Sequence, residues 1–114
     1  KITFNIEATV RQKDGLALSS RNARLSEAQH KEALAISKSL FYIKENWGND
    51  TIENLIAAAE KIIETQKSLK IEYFKICNRT HLAELSGHSK NYKEAVILTA
   101  VFCGDIRLID NLIV

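Results

Sequence analysis

Apolar residues in the first half of the chain recur at helical spacing. Ala33, Ile36, Leu40, Ile43 and Trp47 fall on one side of a 3.6-residue turn, and Leu34 and Phe41 widen the stripe. Ser26-Glu27-Ala28-Gln29 precedes them with the spacing of a capping box, in which Ser26 accepts from the amide three residues on and Gln29 reaches back. Gly48-Asn49 suits a left-handed end to this helix. Asp50-Thr51-Ile52-Glu53 then opens a second helix whose stripe is Ile52, Leu55, Ile56, Ala59, Ile62 and Ile63. Glu60, Lys61, Glu64 and Lys67 form its solvated surface. Ser26–Ser68 therefore reads as an antiparallel helical hairpin.

After the hairpin the period shortens. Ile71–Cys77 is rich in β-branched and aromatic residues and reads as a strand. Asn78–Lys93 is polar, with a small apolar group at Leu82, Ala83 and Leu85 and a turn at Gly87. Ala95–Cys103 is apolar in both alternating sets, the pattern of a central strand covered on both sides. Gly104-Asp105 turns it into a third strand, Arg107–Ile113, so the last two strands form a hairpin. The expected fold class is α+β: a small antiparallel three-stranded sheet with a helical hairpin packed on one face.

Composition narrows this picture. At 114 residues the chain fits a single domain, 1–114, without internal repeat or linker. Its 46% hydrophobic and 26% charged residues are those of an ordinary globular core and surface. No apolar run has the length of a membrane span, and the first residues lack the pattern of a signal peptide. Proline is absent, which leaves Gly, Asn and Asp to mark the turns; methionine is absent too, and the expectation is a piece cut from something longer. Cys77 and Cys103 have no metal-ligand spacing and read as two buried free thiols of a reducing cytoplasm, a disulfide between neighbouring strands being the alternative. The formal net charge is only +2, yet Arg11, Lys13, Arg21 and Arg24 face Asp14 alone, a local excess that suits a small anion.

The chemistry concentrates in Arg11–Asn22. Ser19 and Ser20 followed by Arg21, on a loop opened by Asp14-Gly15, form an anion cradle in which hydroxyls and amides donate to phosphate oxygens and the guanidinium pairs with them. Gly15 allows a turn closed to other residues. On spacing alone, the same string also reads as a polar loop that caps the following helix. Elsewhere, Arg107 with Asp105 or Asp110 reads as a structural ion pair. His81 and His88 read as exposed histidines, and Tyr73, Phe74 and Tyr92 as packing residues rather than a stacking platform.

Asp14-Gly15-Leu16-Ala17-Leu18-Ser19-Ser20-Arg21-Asn22, followed by Leu25-Ser26, closely resembles the pantothenate synthetase (pantoate–β-alanine ligase) family, in which such a run opens the C-terminal domain. Lys93–Ala100 and Gly104-Asp105-Ile106-Arg107-Leu108-Ile109-Asp110-Asn111 resemble that family's closing strand pair, and Ile71-Glu72-Tyr73 its intervening strand. The chain departs from the family pattern at three places: no proline stands before Thr9, Gln12 replaces a frequent acid, and Arg24 stands where tyrosine is usual.

The resemblance implies the C-terminal lid domain of a longer, cytoplasmic ligase. That enzyme condenses pantoate with β-alanine using ATP and Mg²⁺, through pantoyl adenylate, and releases AMP and pyrophosphate. It implies a partner in the enzyme's own N-terminal Rossmann-like domain, whose His-x-Gly-His motif is missing here since His30, His81 and His88 stand apart. It further implies a homodimer, no nucleic acid, no membrane and no metal ligands within this domain. Ser19, Ser20 and Arg21 would hold the ATP phosphates, Arg21 acting in catalysis by neutralising the departing pyrophosphate. Gly15, Asn22 and Lys13 would support the loop, Arg24 would be solvated, and the fragment alone would be inactive. Two other readings are a free-standing polyanion- or nucleic-acid-binding module using the Arg11–Arg24 surface, and a lid from another adenylate-forming ligase.

Overall fold

The computed structural model describes Arg11, residues 13–16 and residues 24–114. Two helices, α1 (Glu27–Glu45) and α2 (Ile52–Glu64), precede strands β1 (Leu69–Cys77), β2 (Val96–Cys103) and β3 (Ile106–Ile113), with a short 3-10 turn at Ser89–Asn91 between β1 and β2. The sheet is antiparallel in the order β1-β2-β3. Helix α2 packs against β1, and α1 against β3 and β2. This is the α+β arrangement that the two periodicities predict.

The helix starts follow the sequence closely. Ser26 accepts from the Gln29 amide at 3.1 Å while Gln29 Oε1 accepts from the Ser26 amide at 3.0 Å, which completes the capping box. Thr51 caps α2 by accepting from the Asn54 amide at 3.1 Å. Helix α1 ends at Glu45, and Gly48 adopts φ +91° in the link to α2. Ala33, Ile36, Leu40 and Ile43 meet Ile52, Leu55, Ala59 and Ile63 in one core with the inner side of the sheet. Phe41 is a correction: it leaves the stripe, stays 36% exposed, and carries the Arg11 guanidinium 5.2 Å above its ring.

Strand β1 begins at Leu69, two residues before the expected start, because Leu69 pairs with Cys103 and is buried there. A bulge then intervenes. Ile71 pairs with Val101 and Tyr73 with Ala100, so Glu72 is an extra residue without a partner in the register. The bulge resets the parity of the strand. Leu69 and Ile71, then Phe74 and Ile76, join the core, while Tyr73, Lys75 and Cys77 share the other side. Tyr73 takes Lys75 Nζ 5.6 Å above its ring, and Phe74 is buried, so the two do not form one aromatic surface.

In β2, Ile97, Val101 and Cys103 face the helices, while Val96 and Ala100 on the far side are also fully buried. The far side is not wholly covered: Ile109, the β3 partner of Ala100, is 49% exposed. Gly104 at φ +62° leads the two-residue turn between β2 and β3, a conformation that favours glycine at the first turn position. Both cysteines are free and buried. Cys77 and Cys103 pair with opposite ends of the ladder and lie on opposite sides of the sheet, which separates them. Burial raises the Cys77 thiol above its ordinary value. No helix among the described residues is long and apolar enough to cross a membrane.

Candidate functional site

Ser19, Ser20, Arg21 and Asn22, the centre of the sequence-based site, lie outside the described residues. What the structure describes is the stretch before them, Arg11 and residues 13–16. Arg11 sits beside Asp110 and Asn111 of β3 and over Phe41 in the last third of α1. Its Nη1 donates to Asp110 Oδ2 at 2.8 Å and to the Gly15 carbonyl at 3.1 Å. Its Nη2 donates to Asp110 Oδ1 at 2.9 Å and to the Asn111 carbonyl at 2.9 Å. The Asn111 amide also donates to Asp110 Oδ1, at 2.7 Å. The side chains are 13% and 3% exposed, so this is a forked ion pair largely out of water, with every buried side-chain polar atom of the described residues satisfied.

The next residues are pinned one by one. Asp14 Oδ1 accepts from the Leu16 amide at 3.1 Å, an Asx turn that suits the Asp-Gly pair. Asp14 Oδ2 lies 2.7 Å from His30 Nε2 in the first turns of α1. The His30 hydrogen bond, then the Leu16 amide, holds the Asp14 carboxyl below its ordinary value. Gly15 takes φ +95°, as its sequence context predicts, and a Cβ there would meet Ser37 Oγ at 3.1 Å. Leu16 is buried in the core. Lys13 is exposed and lines an open groove of about 550 Å³ with Asp14, Lys38, Phe41, Tyr42 and Glu45.

Two expectations change here. Arg11 does not add to an anion-binding surface, because Asp110, Gly15 and Asn111 occupy its guanidinium. Asp110 does not pair with Arg107: residues three apart on a strand point to opposite sides, so Asp110 turns into the core and Arg107 outward. Arg107 instead meets the bulged Glu72, with Nε 2.7 Å from Oε1 and Nη2 3.2 Å from Oε2. That partnership lowers the Glu72 carboxyl and raises the Arg107 guanidinium. A sequence signal for Asp110 existed. Ile106, Leu108, Asp110 and Leu112 share one parity, and a carboxylate among buried aliphatic residues requires a buried cation.

The remaining candidates are dispersed. Arg24 is exposed. His81 is exposed, while half-buried His88 accepts from the Lys90 amide at 3.2 Å and so has a structural role in the 3-10 turn. Tyr92 packs on the core and its hydroxyl donates to the Ser86 carbonyl at 2.8 Å. Among the described residues no three His, Cys, Asp or Glu side chains form a metal-binding group.

Fold and ion pair together define an α+β module in which a forked Arg11–Asp110 pair ties the Asp14-Gly15 turn to β3. The pantoate-beta-alanine ligase family model matches residues 1–113. The pantothenate synthetase of Bacteroides fragilis is 40% identical over 103 residues, which cover 90% of this chain and 36% of that enzyme. The crystal structure of pantothenate synthetase from Thermus thermophilus aligns with a TM-score of 0.82 at 32% identity, over 91% of this chain and 37% of that one. The crystal structure of pantoate-beta-alanine ligase from Francisella tularensis, complexed with beta-gamma ATP and beta-alanine, aligns with a TM-score of 0.55 at 25% identity, over 91% and 30% of the two chains. The chain belongs to the pantoate–β-alanine ligase family. It spans about 36% of the length of the curated relatives it matches.

Proposed function

We propose that this chain is the C-terminal lid domain of a pantothenate synthetase, and that its Ser19-Ser20-Arg21 segment meets the ATP phosphates. The observation that carries this reading is the pinned Asp14-Gly15-Leu16 turn, which precedes that segment in a chain the family model matches over residues 1–113. The beta-gamma ATP named for the Francisella tularensis relative supports ATP as the nucleotide. In this reading a pantoate carboxylate oxygen attacks the α-phosphorus and pyrophosphate leaves. The β-alanine amine then attacks the acyl carbon of pantoyl adenylate and AMP leaves.

The chain's part is electrostatic and steric. Hydroxyls and amides of Ser19 and Ser20 hold phosphate oxygens, and Arg21 meets the charge that gathers on the leaving pyrophosphate, where fixed donors stabilise the transition state most. Exposed Lys13 adds positive field beside the segment, and Asn22 has a supporting part next to Arg21 in the sequence. Closure over a Rossmann-like N-terminal domain excludes water and protects the adenylate from hydrolysis. Mg²⁺ would be held by oxygens of the triphosphate, the hard ligands it prefers, and would offset part of their charge. The longer enzyme is a cytoplasmic homodimer, and the lid alone is inactive because one wall of its site belongs to the other domain.

The test is AMP release by the longer enzyme given ATP, Mg²⁺, pantoate and β-alanine, beside its Arg21→Ala variant. The expected result is AMP that depends on both co-substrates and a fall of at least about tenfold in the variant, or about 1.4 kcal/mol of transition-state stabilisation. Absence of AMP from the wild-type enzyme would overturn the assignment. Full activity in the variant would retain the ligase and remove Arg21 from the mechanism.

A further inference from the structure

We infer that the Arg11–Asp110 pair is a positioning device for the phosphate-binding segment, an inference that rests on the reading of Ser19, Ser20 and Arg21 given above. Removing two charges from water offsets most of their mutual attraction, so a well-packed apolar pair often stabilises a core as well. What aliphatic side chains cannot do is fix the direction of a neighbouring carbonyl. A guanidinium can, because its donors lie in one rigid plane. Here that plane is set from three sides. Asp110 takes both ends of the fork at 2.8 and 2.9 Å, the Asn111 carbonyl takes a third donor at 2.9 Å, and the Phe41 ring lies 5.2 Å below.

The remaining bond goes to the Gly15 carbonyl, at 3.1 Å. It ties Arg11 to Gly15, next to Leu16, whose side chain is buried and whose amide is held by Asp14. Ser19 follows three residues later. The sheet thus fixes, through Asp110 and Arg11, the position of Gly15 and Leu16, the residues that lead to the segment. Misplacing a binding group by about 1 Å costs on the order of a hundredfold in rate. Neither Arg11 nor Asp110 needs to touch substrate for this. A purely architectural clip would serve equally well on any loop, whereas this one is bonded to the glycine that opens the family-like run.

The experiment compares Asp110→Asn and Arg11→Lys with the wild-type longer enzyme. It measures kcat and KM for ATP, pantoate and β-alanine at a temperature where circular dichroism shows the proteins folded, together with hydrogen exchange of residues 13–22. Arg11→Lys keeps the charge while losing the fork, and it decides the matter if Asp110→Asn does not fold. The expected result is a loss of about tenfold or more in kcat/KM for ATP, with KM for pantoate and β-alanine held within about twofold. Exchange should quicken in 13–22 while α2 and β1 remain protected. ATP parameters unchanged in a folded variant would overturn the inference and leave the ligase reading intact. So would an equal loss toward all substrates with faster exchange throughout the domain, the mark of general destabilisation. A wild-type enzyme that forms no AMP would instead remove the ligase reading itself, and the inference with it.

Discussion

On the helix-facing side of β3, Asp110 holds Arg11 in a fork that is almost fully buried; on the opposite side, Arg107 meets Glu72 in a fork that is about 40% exposed at both partners. The bond lengths are alike, 2.8 and 2.7 Å, so geometry alone does not distinguish the pairs. Surroundings do. Water can solvate Glu72 or Arg107 if its partner is lost, and long exposed side chains gain little from pairing. Asp110 has no such recourse, since it sits among aliphatic residues of the core. Arg11 also ties together residues 99 positions apart, whereas Arg107 and Glu72 brace two outer strands already joined through β2. One pair sets a long-range geometry, and the other decorates a surface.

The largest expected effect tests the buried side of this contrast. Asp110→Ala leaves the Arg11 charge in the core without its carboxylate and should lower the unfolding free energy by about 3–5 kcal/mol in urea denaturation. A loss as small as that of an ordinary surface substitution would break the comparison. Next comes a local reference point: Ser26→Ala removes half of the capping box and should cost about 1 kcal/mol in the same assay. Glu72→Gln should then leave the melting temperature close to wild type, and a drop approaching that of Asp110→Ala would erase the distinction between the two faces.

The smallest effect is a titration. The folded Asp14 pKa lies below its ordinary value, chiefly through His30, so the Asp14 contribution to stability is intact above the ordinary carboxylate range, about pH 4. It is lost as pH falls through the lowered folded value. Carbon-13 NMR of the Asp14 carboxyl should show the depressed titration, and His30→Ala should raise it toward the ordinary value.

The same contrast explains what the sequence could disclose. Helices α1 and α2 were legible because their caps and stripes are local patterns: Ser26 with Gln29, and Ile52 through Ile63, interact within a few residues. The β2–β3 hairpin was equally legible from Gly104-Asp105 between two apolar runs. The bulge at Glu72 was not, because Ile71-Glu72-Tyr73 alternates as an ordinary strand does and only pairing with β2 exposes the extra residue. Phe41 matched the helical stripe, yet Arg11 claimed its ring from outside the helix. Arg11 itself resembled a free cation for anions, and its use became visible only once folding brought β3 beside it. The order of the site was likewise partly readable. Asp14 and Gly15 announced a turn that the structure contains, while its anchor depended on a partner from the far end of the chain.

The most direct measurement is a double-mutant cycle on kcat/KM for ATP in the longer enzyme, using Arg11→Lys, Arg21→Ala and both together. If Arg11 works by placing Arg21 and its neighbours, its substitution should cost far less once Arg21 is gone, and the two losses should be strongly non-additive. Losses that simply multiply would contradict the account, because the buried fork and the phosphate-binding segment would then be acting independently.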